Sequence, residues 1–337
     1  MRCVRHRHRD ARSSLPRLKA FAERRVIRSL SSGIARLGMA LLCAACVFSP
    51  PGPSPSGGTS PQAVVDELLA ADRAFSAASA ATDVVSGVSA MFAADVAMPL
   101  PGARFSTNAA EAIAELRADA DNAKSRLEWA PVRGGVSGDG RHGFTWGYMT
   151  LRRPDGTTAP LKYLSYWVKG HEGWRVAVYR RRLRPAGEVS LVPVPPALPP
   201  RVVPASEDLA AIERYRASLD RTERAFSADA QVVGLGVAFA RYGTADAVNM
   251  GGPQSAGFVV GSEAIGQMVS DGKPAEASPL WWAPDRAIVA SSGDLGVTIG
   301  LIRRNTPSAD PNAPAGFPFF TVWRRASPDD AWRYVAE

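Results

Sequence analysis

Asp95 in "FAADVA" and Asp246 in "GTADAV" are carboxylates at corresponding places in two related stretches, 151 residues apart. Each could act as a pocket acid. The competing reading is an aspartate that caps or hydrogen-bonds the turn leading into the first strand. Beyond the leader the histidines are His142 in "GDGRHG" and His171 in "KGHEG", both expected at solvated hairpin tips. The cysteines are Cys3, Cys43 and Cys46, so everything after Cys46 lacks thiolates. With no His pair at ligand spacing either, a transition-metal site and a Ser-His-Asp assembly are not expected. No cofactor is expected. "GDGRHG" matches the dinucleotide pattern of glycines, but a phosphate cradle needs a helix after it. The residues that follow, "FTWGYMTL", form a strand pattern, so this stretch reads as a hairpin turn.

Aromatic residues offer a second chemistry. A two-residue period places Phe144, Trp146 and Tyr148 on one face of a strand, and their counterparts are the aliphatic Val297, Ile299 and Leu301. Tyr163 and Trp167 share a face of the next strand, with Tyr166 opposite. Phe144, Trp146, Tyr148 and Tyr166, with Asp95, are therefore candidates for a pocket holding a planar small molecule. The alternative is that these rings fill a core or a domain interface. Trp129 and Trp282, both in "WAP", read as packing residues. "YRRRLR" (179–184) could steer an anionic ligand, lie on anionic lipid headgroups, or simply be a solvated strand end.

These residues must be positioned by helices followed by a meander. Ser60-Pro61 starts a helix in which Val64, Val65, Leu68, Leu69, Asp72 and Phe75 follow helical spacing, with the acid as one polar intrusion. A second helix is expected over Val84 to Phe92. A third starts near Asn108, with Glu111 at capping-box spacing. Strand patterns cover Leu127–Val136, Gly143–Arg152, Tyr163–Lys169 and Trp174–Arg182, separated by turn-forming sequences. The fold class is α+β, with helices packed on one face of a mainly antiparallel sheet.

The pattern then recurs. "DRAFSA" at Asp72 answers "ERAFSA" at Glu223, and "EAIAEL" answers "EAIGQM". "EWAP" answers "WWAP", "GFTWG" answers "GVTIG", "YLSYW" answers "FFTVW" and "GWRV" answers "AWRY". The matches are collinear, so the chain is a duplicated domain rather than a solenoid. The boundaries read as an export signal over 1–46, a flexible tether over 47–60, domain 1 over 61–184, a Pro-rich linker over 185–206 and domain 2 over 207–337. The linker reads as a semi-rigid extended spacer.

The net charge of +8 is misleading about partners. The first 49 residues hold 11 of the 40 Lys and Arg and 2 of the 32 acidic residues, leaving 29 basic against 30 acidic. The domains thus have no overall electrostatic case for nucleic acid. In the leader, Arg24, Arg25, Arg28 and Arg36 precede an uncharged apolar run from Leu37 to Phe48. That run is too short to span a bilayer but suits a signal peptide. "LLCAAC" resembles a lipoprotein cleavage box with Cys46 as the lipidated residue; ordinary cleavage nearby is the alternative. The expectation is an exported bacterial protein, periplasmic or on the outer membrane, touching the membrane only through its N-terminal anchor.

"LLAADRAFSAASAATDVVSGVSAMFAADVAMPLPG", "EAIAEL" and the strands ending in "YWVKGHEGWRVAVYRRR" resemble a SnoaL-like domain of the nuclear transport factor 2-like superfamily. The second half resembles a more diverged copy. The resemblance implies two tandem cone-like α+β domains, each with three helices on a curved sheet of four to six strands around a pocket. It also implies pairing through the sheets, as an intrachain pseudo-dimer or a homodimer. Ketosteroid isomerase-like members carry a catalytic aspartate just before a proline. Here that position looks like Leu100, before Pro101, so the expected base is missing. The leading expectation is a non-catalytic module binding a small hydrophobic or aromatic ligand, or mediating interactions. The alternatives are an isomerase or dehydratase acting on a hydrophobic cyclic substrate in the domain 1 pocket, with Asp95 or a Tyr hydroxyl as acid or base, and a purely structural envelope protein.

Overall fold

The computed structural model describes residues 59–273, 276–307, 310 and 313–337. Cys46, the signal and most of the tether lie outside the described residues.

Domain 1 opens with α1 (Pro61–Ala80), whose N-cap Ser60 side chain accepts from the Ala63 N–H, satisfying a donor the helix cannot. Then come α2 (Val84–Ser89), β1 (Phe92–Ala97), β2 (Pro99–Leu100), β3 (Arg104–Phe105) and α3 (Ala109–Ala118). The meander is β4 (Arg126–Val136), β5 (His142–Arg152), β6 (Thr158–Gly170) and β7 (Gly173–Leu183). The sheet order is β1-β7-β6-β5-β4, with β1 parallel to β7 and the remaining pairs antiparallel. Asn108 caps α3 through the Glu111 N–H, and Glu111 reaches back to the Thr107 N–H. The segment 92–97, expected to include a turn, is strand β1 instead. Its partner β7 is remote in sequence, so local patterning carries no sign of it.

Domain 2 repeats the plan with α4 (Leu209–Val233), α5 (Leu235–Tyr242), β8 (Gly243–Asn249), β9 (Val259–Val260) and α6 (Ser262–Val269). It finishes with β10 (Leu280–Val289), β11 (Leu295–Arg304), β12 (Phe317–Arg324) and β13 (Arg333–Ala336), in the order β10-β11-β12-β13-β8-β9. The fold is thus tandem α+β, with three helices on each mixed, mainly antiparallel sheet.

The repeated "WAP" marks a bulge. The β4–β5 register shifts between Pro131 and Arg133, and the β10–β11 register shifts between Pro284 and Arg286. The bulge brings the opposite strand so close that a Cβ at Gly147 would stand 2.1 Å from the Ala130 carbonyl oxygen. The same holds at Gly300 against Ala283. Only glycine fits there, and the bent strand aims the next Arg out of its own domain.

Among the described residues three apolar clusters hold the fold together. One lies between the domain 1 helices and their sheet, with Leu68, Tyr163, Trp167 and Tyr179 fully buried. Its domain 2 equivalent contains Leu219, Phe226, Trp323 and Tyr334. The third unites the outer faces of the two sheets, with Phe144, Trp146, Leu164 and Tyr166 against Val297, Ile299, Phe320 and Val322. The linker is not a free spacer. It lies along β4, with Val194 N–H donating to the Val132 carbonyl and Ala197 exchanging bonds with Gly134 and Val136.

Candidate functional site

The residues singled out in the sequence fall mostly on the inter-sheet interface. Phe144, Trp146 and Tyr166 are buried there, in one apolar cluster with domain 2 residues. Phe258 of domain 2 fills the space, its ring centroid 4.6 Å from Trp146 and 5.7 Å from Tyr148. Tyr148 also borders an open groove of about 530 Å³ shared with Arg73, Trp129 and Leu191. Alternation assigns residues to faces correctly, but it cannot say which face meets the helices and which meets the other sheet. His142 is likewise not at a solvated tip. Its Nδ1 lies 3.1 Å from the Tyr166 hydroxyl, and burial lowers its pKa. His171 is exposed. Leu100 is a core residue of domain 1.

Asp95 is an interdomain clamp. It pairs with Arg286, and Asp246 pairs with Arg133. Arg286 also donates to the Asp95 carbonyl, and Arg133 to the Asp246 carbonyl. These contacts are reciprocal, as in an isologous dimer interface. The facing turns interlock beside them. The Asp139 carboxylate accepts from the Ser291 N–H at 2.7 Å, and the Asp294 carboxylate accepts from the Gly138 N–H at 2.9 Å.

The repeated hexapeptide has a different purpose. Asp72 and Ser76 are one turn apart on α1, facing β4. The Trp129 Nε1–H donates to Asp72 Oδ1 at 2.6 Å, and the Trp129 N–H donates to Ser76 Oγ at 2.6 Å. In domain 2 the Trp282 Nε1–H donates to Glu223 Oε1 at 2.6 Å, and its N–H to Ser227 Oγ at 2.8 Å. The acid–serine pair of each hexapeptide thus clasps the tryptophan of each "WAP". Both carboxyl groups are fully buried, which is tolerable only because donors converge on them.

Beyond this shared lock the two copies diverge. Strand registers align Tyr163 with Phe319, Met149 with Ile302, and Tyr179 with Glu337. In domain 1 the Tyr163 hydroxyl donates to Asp72 Oδ2 at 2.8 Å, and the Tyr179 hydroxyl rests on the Met149 sulfur at 3.8 Å. Both tyrosines are buried and belong to the core between the domain 1 helices and their sheet. In domain 2 the corresponding space is a cavity of about 380 Å³. Phe226, Phe239, Trp282, Phe319 and Ile302 form apolar walls, Glu223 and Glu337 carry the carboxyls, and Arg180 and Arg182 reach in from domain 1. A larger groove of about 830 Å³ beside α5 and α6 is open and lined largely by surface residues.

Both cavity carboxyls are protonatable near neutrality. Burial pushes Glu223 up to about 7, against the lowering effect of its Thr298, Trp282 and Trp323 donors. Burial, and then the charge of Glu223, pushes Glu337 up to about 8, although Asn249 and Thr321 donate to it at 2.7 and 3.3 Å. Thr298 makes either protonation state of Glu223 tenable. Its hydroxyl lies 2.5 Å from Glu223 Oε2, 3.4 Å from the Thr321 carbonyl and 3.0 Å from Trp323 Nε1. With Glu223 ionised, Thr298 donates to it. With Glu223 protonated, the acid donates to Thr298, whose own proton turns to Thr321. Carboxyls with near-neutral pKa in an aromatic cavity can exchange protons with a bound oxygen, and Glu337, whose proton is not assigned to a neighbour, can donate a hydrogen bond to it.

The sequence reading missed Glu223 and Glu337. A signal existed for the first, because the one polar residue on an apolar helix face recurs as an acid in both copies. Glu337 carried no such signal, since its place in the cavity depends on β13 pairing with β8 and β12.

No protein-family model matches the chain, and no curated protein matches it. Several solved structures similar to parts of it are described as nuclear transport factor 2-like. A nuclear transport factor 2-like protein with a cystatin-like fold from Novosphingobium aromaticivorans is 19% identical over 35% of this chain and 80% of its own, with a TM-score of 0.28. A like protein of unknown function from Shewanella oneidensis is 12% identical over 36% and 98%, with a TM-score of 0.27. A ketosteroid isomerase-like protein from Erwinia carotovora is 16% identical over 36% and 92%, with a TM-score of 0.26.

Proposed function

We propose that domain 2 is a receptor for one small, largely apolar molecule, and that domain 1 supports it. The observation that carries this reading is the cavity of about 380 Å³ with aromatic walls and two carboxyls, at a place where domain 1 has tyrosines. A cavity of this size suits a ring compound of modest mass. Glu337, largely protonated at mildly acidic pH, donates a hydrogen bond to an oxygen at its polar end, while Glu223 holds its proton against Thr298. Native mass spectrometry of the gently purified protein tests this. A retained mass of a few hundred daltons that disappears in Ile302→Trp supports it; a retained mass indifferent to that substitution sinks it.

A second reading is proton-transfer catalysis on a bound carbonyl compound, favoured by the near-neutral pKa of Glu223. It requires turnover that falls in Glu223→Gln while the fold persists. Export belongs to the same proposal. It rests on the basic and apolar leader and on the Pro, Gly and Ser-rich tether. Mass spectrometry of the N-terminus of membrane-extracted protein, searching for a diacylated Cys46, tests it.

A further inference from the structure

The run "YRRRLR" is not a solvated strand end. Leu164 pairs with Arg180 and Lys162 pairs with Arg182 across β6 and β7. These residues share the sheet face that carries Tyr166 and Val178, which is the face turned to domain 2. Arg180 and Arg182 line the domain 2 cavity. Lys162 lies fully buried behind them. Among the described residues no carboxylate forms an ion pair with any of the three. Their partners are carbonyl oxygens instead: Arg180 donates to Pro318 at 3.2 Å, Arg182 to Gly251 at 2.8 Å, and Lys162 to Ser255 and Gly257 at 2.6 and 2.9 Å.

This arrangement is costly without a counter-ion. Lys162 and Arg182 stand directly opposite on neighbouring strands, where like charges repel, and the buried Lys162, beside the half-buried Arg180 and Arg182, pays a desolvation penalty without an anion. The strain shows in the ionisation. Burial, then Arg182 and Arg184, brings Lys162 down to about 8, and burial, then Arg182, brings Arg180 down to about 10. A guanidinium has five N–H donors, and the carbonyl contacts occupy one on each arginine. The remaining donors can take a carboxylate or phosphate in paired geometry. Glu337, on the same cavity, is not that anion: it is held largely protonated, by burial first, and its hydrogen bonds go to Asn249 and Thr321.

We propose that Arg180 and Arg182 of domain 1, backed by Lys162, form an anion-recognition site on the domain 2 cavity, so that its ligand is an amphipathic organic anion. The apolar ring or short chain enters the aromatic cavity, and a carboxylate, sulfonate or phosphate meets the arginines. The assignment rests on the receptor reading above and adds the ligand's charge to it. It also gives domain 1 a direct part in binding.

Two dyes of similar body test it: 1-anilinonaphthalene-8-sulfonate, which is anionic, and the uncharged N-phenyl-1-naphthylamine. Fluorescence titration of the full chain should show one-site binding, with the sulfonate roughly tenfold or more tighter, equivalent to about 1.4 kcal/mol. Arg182→Gln, alone and with Arg180→Gln, should bring the ratio toward one while the neutral dye still binds. Arg182→Lys should retain part of the preference. Inorganic phosphate should compete with the sulfonate only. Equal affinities in the unaltered protein, or a ratio unmoved by the double substitution, would overturn the anion site and leave the apolar receptor standing. Binding of neither dye would overturn both. Displacement of the sulfonate by phosphatidylglycerol vesicles would assign the site to a lipid headgroup and overturn the free-ligand proposal.

Discussion

The two cones share a framework and differ in what fills it. Each has an acid and a serine on its first helix clasping a tryptophan on the bulged strand. In domain 1 Tyr163 and Tyr179 occupy the interior; in domain 2 Phe319 and Glu337 stand at those places and leave a cavity. Three differences between the copies, Tyr163 against Phe319, Met149 against Ile302 and Tyr179 against Glu337, accompany the packed interior of one and the cavity of the other. The interface between the copies stayed reciprocal, with Arg133–Asp246 answering Arg286–Asp95.

The sharpest way to break this comparison is to truncate the same place in each copy. Tyr179→Ala should cost about 3–5 kcal/mol, as for other large aromatic deletions in packed cores. Glu337→Ala should cost much less, because its side chain ends in a cavity. Chemical denaturation of both variants measures this, and equal losses would mean that domain 1 is no better packed than domain 2.

The next effect is electrostatic. Glu223 has a folded pKa near 7, above its ordinary 4.5, so folding favours its protonated form. Its contribution is fully present below about pH 4.5 and is lost as pH rises through 7. The loss is on the order of 3 kcal/mol. Glu337, near 8, extends the decline in the same direction. Unfolding free energies measured from pH 5 to 8.5 should therefore fall, and Glu223→Gln should flatten part of the slope below about pH 7, the remainder belonging to Glu337. A slope unchanged by that substitution would remove Glu223 as its source.

The smallest effect concerns the clamps. The Arg133 side chain is 9% exposed and that of Arg286 is 39% exposed. A double-mutant cycle on Arg133 and Asp246 should give a coupling of about 1 kcal/mol, and the Arg286–Asp95 cycle less, because exposed pairs are screened. The opposite ranking would mean that the interface is less symmetric in energy than in geometry.

Much of the framework was legible in the sequence. Ser60-Pro61 and Asn108 start helices because capping is a local event. The hairpins follow from alternation and turn residues. The duplication was visible in collinear motifs, and the hexapeptide already contained the buried acid. What was misjudged depends on distant partners. Asp95 and Asp246 recur not as turn formers or pocket acids but because each answers an arginine in the other copy. Phe144, Trp146 and Tyr148 share a face as expected, and that face packs toward domain 2, with Phe258 against Trp146 and Tyr148.

The sequence by itself determined the helices, the meanders, their repetition and the face on which each side chain stands, because spacing along one strand or helix sets these. Only the tertiary structure decided which sheet face is covered by helices, which copy keeps its cavity, and that arginines of one domain reach the cavity of the other. Those outcomes depend on residues brought together from far apart in the chain, such as Tyr179 against Met149, Glu337 against Asn249 and Arg182 against Gly251. Packing volume and charge are settled between such partners, and no local pattern records them.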